Sequence, residues 1–88
     1  MDIKVLGDGC YGCLQLELLV GQVLDELGLP TPVRRVDDRR EMDRYLLSEP
    51  PGLVINGQLV VERRLPTKEE LHRWIMDALS WEGRVWTT

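Results

Sequence analysis

Short β-prone runs alternate with longer amphipathic stretches, and this alternation restricts the fold more than any other feature of the chain. The longest stretch, residues 14–27, repeats leucine and valine at helical spacing and carries most of its polar residues on the opposite side. Gly28 then predicts the end of this helix. A short strand at residues 3–6 precedes the helix, and a charged strand at residues 33–37 follows it as a candidate sheet edge. These three segments predict a parallel β-α-β unit.

The second half of the chain predicts an antiparallel hairpin. Residues 53–55 form an apolar run suited to a buried strand, and residues 58–62 provide its partner. Asn56 and Gly57 lie between them, and this dipeptide favours a type I′ turn because both positions need a positive φ.

Two further helices complete the predicted order. Residues 39–47 predict a short helix. The apolar side of this helix contains Met42, Tyr45 and Leu46. Thr67 opens a Thr-x-x-Glu capping box, which begins a last helix that we expect to end near Gly83. The apolar face of that last helix consists of Leu71, Trp74, Ile75, Ala78 and Leu79, with Trp74 expected in the core.

The predicted order is β-α-β-α-β-β-α within 88 residues, which is the size of one domain. A four-stranded mixed sheet with helices on both faces buries all the apolar sides, so we expect a single α/β domain over residues 1–88. Residues 80–88 are expected to form a C-terminal tail whose Trp81 and Trp86 dock on the domain or contribute to a partner surface. The net charge of −4 argues against nucleic acid and anionic membranes as partners.

The two cysteines of the chain, Cys10 and Cys13, lie where the first loop becomes the first helix. The unpaired N–H groups and the positive dipole end of a helix N-terminus stabilise a thiolate, which is the nucleophile in disulfide exchange. The i, i+3 spacing brings both sulfurs to one helical turn. Continuing the helical register places Cys13 on the apolar side and Cys10 at its border. We therefore expect Cys10 to be the attacking nucleophile and Cys13 the buried resolving thiol.

Other interpretations of this pair are half a zinc site, an idle pair, or a non-enzymatic binding module that holds a soft metal or a partner protein. Zinc requires four ligands, and the one histidine, His72, lies on the last helix, so we expect no metal site within one chain; a metal site shared across a dimer stays an open alternative. Asp2 follows Met1 without the basic and apolar segments of a signal peptide, so we expect a cytoplasmic protein. In that reducing compartment a lone cysteine pair is more often catalytic, redox-sensing or metal-binding than structural.

Three blocks of the sequence resemble the small, glutaredoxin-sized thioredoxin-like proteins that carry a redox-active disulfide. They are residues 3–13, which end in Gly9-Cys10-x-x-Cys13, residues 51–57 and residues 66–71. The resemblance extends over residues 2–79 and implies a thioredoxin fold. It also implies a cis-proline that faces the cysteine pair, and Pro51 occupies that position.

The resemblance implies an enzyme, a thiol–disulfide oxidoreductase that exchanges disulfides through a mixed-disulfide intermediate. Its partners would be a protein or small-molecule disulfide and an electron donor, either a thiol reductase or a glutathione-type thiol. No cofactor is implied beyond the Cys10–Cys13 disulfide itself. The residues that would contact the substrate are Tyr11, Gly12, Pro50 and Pro51.

Several residues depart from the family pattern. Gly9 stands where thioredoxins carry Trp, and the dipeptide between the cysteines lacks proline. Lys4 lies where thioredoxins place a buried acid, and its alternation with Ile3 and Val5 predicts exposure to solvent. Pro50 replaces the Thr or Val that usually precedes the cis-proline.

We assign no functional role to two polar residues: we expect Asp8 to be a solvated turn residue and His72 a solvated helix residue. Tyr11 has two interpretations, as a contact surface for the substrate or as a shield over the disulfide.

Overall fold

The computed structural model describes residues 1–47 and 49–87, and it describes side chains as far as residue 80. The strands are β1 (Ile3–Leu6), β2 (Val33–Val36), β3 (Gly52–Ile55) and β4 (Gln58–Glu62). The helices are α1 (Tyr11–Leu27), α2 (Arg39–Asp43) and α3 (Lys68–Thr87). The predicted order of seven elements is confirmed.

The four strands form one mixed sheet in the order β2-β1-β3-β4. β1 pairs with β2 in parallel, with Ile3 opposite Val33, and the other two pairings are antiparallel. Asn56 and Gly57 join β3 to β4 with φ values of 52° and 81°, as a type I′ turn requires. The α/β thioredoxin-like architecture predicted from the sequence is therefore confirmed.

The main core lies between one face of the sheet and the helices α1 and α3. Its buried residues are Ile3, Val5, Leu16, Val20, Val23, Leu24, Leu53, Ile55, Val61, Leu71 and Ile75. Trp74 packs against this cluster but is only half-buried, so the prediction of a core tryptophan holds for its contacts and not for full burial.

α2 covers the opposite face of the sheet. Leu6, Val36 and Val54 are buried there, and four partly buried side chains pack on them. These are Met42, Tyr45, Leu47 and Leu59. Because side chains alternate along a strand, β1 sends Ile3 and Val5 to the main core and Leu6 to the α2 side.

α2 is shorter than predicted. It ends at Asp43, and the next residues continue as turns with i to i−3 hydrogen bonds, such as Leu46 N–H to Asp43 C=O at 3.1 Å. Leu46 then takes a positive φ of 56° and is 87% exposed, so its predicted place on the apolar side is wrong. Leu47 fills that place because the left-handed residue redirects the chain.

The ends of the two longer helices show which local predictions hold. Gly28 ends α1 in the left-handed conformation (φ 68°), as predicted. α3 begins with the predicted capping box, in which Glu70 N–H donates to Thr67 Oγ1 at 3.1 Å and Thr67 N–H donates to Glu70 Oε1 at 3.0 Å. The helix continues past Gly83 to Thr87, so its predicted end is wrong. A glycine inside a helix costs only about 1 kcal/mol relative to alanine and does not by itself stop one.

The prediction for Trp81 and Trp86 concerns side chains outside the described part. None of the described helices is long and apolar enough to cross a membrane.

Candidate functional site

Cys10 caps the first helix. Its backbone is extended (φ −63°, ψ 161°), and α1 begins at the next residue. The Cys13 backbone N–H donates to Cys10 Sγ at 3.1 Å, while Leu14 N–H donates to the Cys10 carbonyl at 3.0 Å. Cys10 thus takes the N-cap position that Ser, Thr, Asp or Asn usually fill. A backbone N–H donor and the positive end of a helix dipole are surroundings that favour negative charge on a sulfur.

Cys10 and Cys13 are joined by a disulfide, with their Cα atoms 5.0 Å apart. Cys10 is half-buried, whereas Cys13 is only 2% exposed. The predicted difference in exposure between the two cysteines is confirmed. Cys10 is therefore partly accessible from solvent, whereas the protein covers Cys13.

The buried sulfur rests against the backbone that follows β1. A Cβ atom on Gly7 would overlap with Cys13 Sγ and would lie 3.5 Å from Pro50 Cβ. Gly7 N–H donates to the Val36 carbonyl at 2.9 Å, which fixes this backbone to the end of β2. Sequence reasoning missed Gly7 as a site residue. The only sequence trace of its role is a glycine directly after the strand, three residues before the cysteine pair.

The proline pair forms the facing wall of the site. The Pro50–Pro51 peptide bond is cis, as the resemblance implied. A Cβ atom on Gly12 would lie 3.5 Å from Pro51 Cγ, so the Pro51 ring packs on the turn between the two cysteines. The Pro51 carbonyl accepts a hydrogen bond from Arg63 N–H at 2.9 Å. Pro50 itself is exposed.

The remaining site candidates lie around this wall. Tyr11 is 77% exposed directly after Cys10, which favours a ring available to a partner over a ring folded across the disulfide. Asp8 and His72 are exposed, as predicted for solvated residues. The structure thus brings Gly12, Pro50 and Pro51 together with the disulfide and leaves Tyr11 at its solvent edge.

The prediction that Lys4 is exposed is wrong. Only 15% of its side chain is accessible, and its ammonium group donates to the Tyr45 hydroxyl at 3.0 Å. The hydrogen bond to Tyr45 is the main cause that raises the pKa of Lys4, and the carboxylates of Asp2 and Glu41, each 3.8 Å away, add to it. Lys4 faces the α2 side of the sheet, where Glu41 of α2 and Tyr45 just beyond it lie beside the ammonium group, which the local alternation alone does not reveal.

Within the residues that the structure describes, no group of three or more His, Cys, Asp and Glu side chains is arranged to hold a metal ion. The chemistry available at Cys10 and Cys13 is that of two adjacent sulfurs that interconvert between dithiol and disulfide.

Comparisons with known proteins agree with this geometry. The family model described as "Thioredoxin domain" matches residues 1–76. A thioredoxin from Methanothermobacter thermautotrophicus is 33% identical over 76 residues, which are 83% of this chain and 95% of that protein. A thioredoxin from Methanocaldococcus jannaschii is 29% identical over 69 residues, which are 78% of this chain and 79% of that protein.

Fold and site together define a thioredoxin-fold protein with a CxxC disulfide. The chain belongs to the thioredoxin family. Membership of this family, together with the CxxC disulfide, supports thiol–disulfide oxidoreductase function at the family level and implies disulfide substrates and a reductant.

Proposed function

We propose that the protein exchanges its Cys10–Cys13 dithiol with a substrate disulfide through a mixed disulfide, in which Cys10 attacks and Cys13 resolves. The observation that carries this proposal is the unequal setting of the two sulfurs. Cys10 is accessible and receives an N–H donor at 3.1 Å, whereas Cys13 is 2% exposed.

The reaction balances on two sulfurs of the protein and two of the substrate. The Cys10 thiolate attacks one substrate sulfur, forms a new S–S bond with it and releases the other sulfur as a thiolate. Cys13 then gives up its proton, attacks the Cys10 sulfur and releases the second substrate thiolate, so two electrons pass to the substrate. A thiol reductase or a glutathione-type thiol returns two electrons to the protein, and no further cofactor takes part.

The substrate is expected to lie against Tyr11, Gly12, Pro50 and Pro51. The Pro51 ring packs on Gly12, and Tyr11 and Pro50 are both exposed beside them. A small or folded disulfide that reaches Cys10 over this surface needs no opening of the core.

The test uses glutathione disulfide as a defined substrate. Reduced Cys13→Ser should accumulate a stable adduct of one glutathione on Cys10, because the resolving thiol is absent. Reduced Cys10→Ser should accumulate none, because its one thiol is covered. Intact-mass measurement after an acid quench reads both results. Equal adducts on the two variants, with both folded by circular dichroism, would refute the assigned roles.

A second readout uses the wild-type protein. Brief alkylation of the reduced form near neutral pH, followed by peptide mapping, should label Cys10 ahead of Cys13. Preferential labelling of Cys13 would reverse the assignment.

A further inference from the structure

The solvent side of α1 carries a line of exposed apolar side chains that begins beside the disulfide. Tyr11 is 77% exposed, Leu14 is 41% exposed and Leu18 is 70% exposed. Their spacing of three and four residues places them on one face of the helix, opposite the buried Leu16 and Val20. We call Tyr11, Leu14 and Leu18 the α1 line. It runs from residue 11 to residue 18, which are seven residue steps or roughly 10 Å of helix.

Gly21 continues the α1 line by one further helical step. A Cβ atom on Gly21 would meet nothing within 4 Å, so no packing inside the described protein requires a glycine there. A glycine inside a helix nevertheless costs about 1 kcal/mol relative to alanine. A partner backbone that approaches α1 closely at this point would account for it, because small residues at a helix contact let the two axes come together.

Exposed carboxylates flank the α1 line in the sequence. Asp8 lies in the loop before Cys10, and Asp25 lies one turn beyond Gly21; both are exposed. Among the described residues neither side chain has an ion-pair partner, whereas the nearby Glu17 and Glu26 are paired with Arg35 and Lys68. An apolar segment between two free carboxylates is complementary to an apolar segment between two cationic groups.

We propose that the α1 line is the docking surface for the redox partner of the Cys10–Cys13 site, and that the partner presents an amphipathic helix with Lys or Arg at both ends. The proposal rests on the proposed function. Helix-on-helix docking uses apolar side chains at i, i+3 and i+7, which is the spacing observed. A second copy of this chain is disfavoured, because a parallel or an antiparallel pair of α1 helices would oppose Asp25 to Asp25 or to Asp8.

The probe is a synthetic helical peptide of about five turns, with Leu at i, i+3 and i+7, Lys at both ends, and a terminal cysteine as its mixed disulfide with thionitrobenzoate. The reduced protein should attack the peptide sulfur and release thionitrobenzoate, whose absorbance gives the rate. A peptide of the same composition with scrambled leucines is the control substrate. Dithiobis(nitrobenzoate), which has no docking segment, reports the chemistry of the cysteines alone.

Leu18→Ser should lower the rate with the helical peptide on the order of tenfold, because the complex loses a contact in which the bound peptide would bury the Leu18 side chain. Its rate with dithiobis(nitrobenzoate) should stay that of the wild type. Met76→Ser is the matched control, because Met76 is a 45% exposed apolar residue on α3. Gly21→Ala should raise the melting temperature yet lower the rate of reaction with the helical peptide. Asp25→Lys should also lower this rate, and the effect should be largest at low salt.

Equal rates for Leu18→Ser and Met76→Ser with the helical peptide, or equal rates for the helical and scrambled peptides, would overturn the proposal. Concentration-dependent dimers that Leu18→Ser abolishes would overturn it too, since the α1 line would then serve self-association. If the reduced wild type does not react with dithiobis(nitrobenzoate), the proposed function itself is refuted, and with it the basis of the docking surface. The two failures are therefore distinguishable.

Discussion

Pro50 should limit how well this protein reduces extended peptides. In the fold to which the chain belongs, the residue before the cis-proline is expected to pair its backbone N–H and C=O with an extended substrate. Proline has no backbone N–H. Here the Pro51 carbonyl already accepts a hydrogen bond from Arg63 N–H at 2.9 Å, and Pro50 can offer only its carbonyl to an added strand.

Pro50→Thr restores the missing donor. One typical hydrogen bond contributes about 0.5–1.5 kcal/mol net, which corresponds to a gain of about two- to twelvefold in kcat/KM for a substrate that binds as an added strand. Threonine keeps a Cβ atom at position 50, and the Pro50 Cβ would lie 3.5 Å from a Cβ atom placed on Gly7, so the substitution leaves this point of the site filled.

The assay is the reduction of insulin by the reduced protein. Pro50→Thr should be faster than the wild type by the factor above, while its rate with dithiobis(nitrobenzoate) should be nearly unchanged. Pro32→Thr is the matched control, since Pro32 is an exposed proline beyond the other end of α1. Equal insulin rates for Pro50→Thr and the wild type, with equal melting temperatures, would show that the missing donor does not set specificity.

Three further predictions concern the framework of the site. Trp74→Ala should destabilise the protein by about 2–3 kcal/mol in urea unfolding, less than a fully buried aromatic would, because Trp74 is half-buried on the core; a loss under about 0.5 kcal/mol would show that its packing is unimportant. Gly7→Ala should cost about 1–3 kcal/mol in the oxidised protein, because its Cβ would overlap with Cys13 Sγ; unchanged stability would refute the close approach. The paired hydrogen bonds from Arg64, with a further bond from Thr67 N–H, lower the pKa of Glu70 from 4.5 to about 2. Its stabilising effect is complete above pH 4.5 and is lost as the pH falls through 2. Glu70→Gln should therefore lose less stability than the wild type over that interval, and parallel losses in thermal melts would contradict this.

Features set by neighbouring residues were predictable from the sequence. The helix stop at Gly28 and the turn at Asn56-Gly57 depend on backbone preference, and both appear as predicted. The capping box at Thr67 depends on a contact over one turn, and it is also present. The position of the cysteine pair at the start of α1 follows from the same local pattern.

Features set by contacts between distant segments were not predictable from local pattern. Lys4 alternates with apolar residues as an exposed position would, but Tyr45, forty-one residues away, covers it and accepts its hydrogen bond. Gly7 is a site residue only because Cys13 Sγ comes against it when α1 folds back on the sheet. The helical spacing predicts Leu46 on an apolar side, but its left-handed backbone turns it to solvent.

The reduction potential of the Cys10–Cys13 couple decides whether this disulfide is redox-active. The oxidised protein is equilibrated with graded ratios of reduced to oxidised glutathione or dithiothreitol. The fraction of protein in the dithiol form is then measured by thiol alkylation and intact-mass analysis. A redox-active site should titrate as one two-electron couple between about −270 and −120 mV, the interval that CxxC oxidoreductases of this fold occupy. A couple below about −300 mV, the range of structural disulfides, would show that Cys10–Cys13 is a static crosslink and not a redox site.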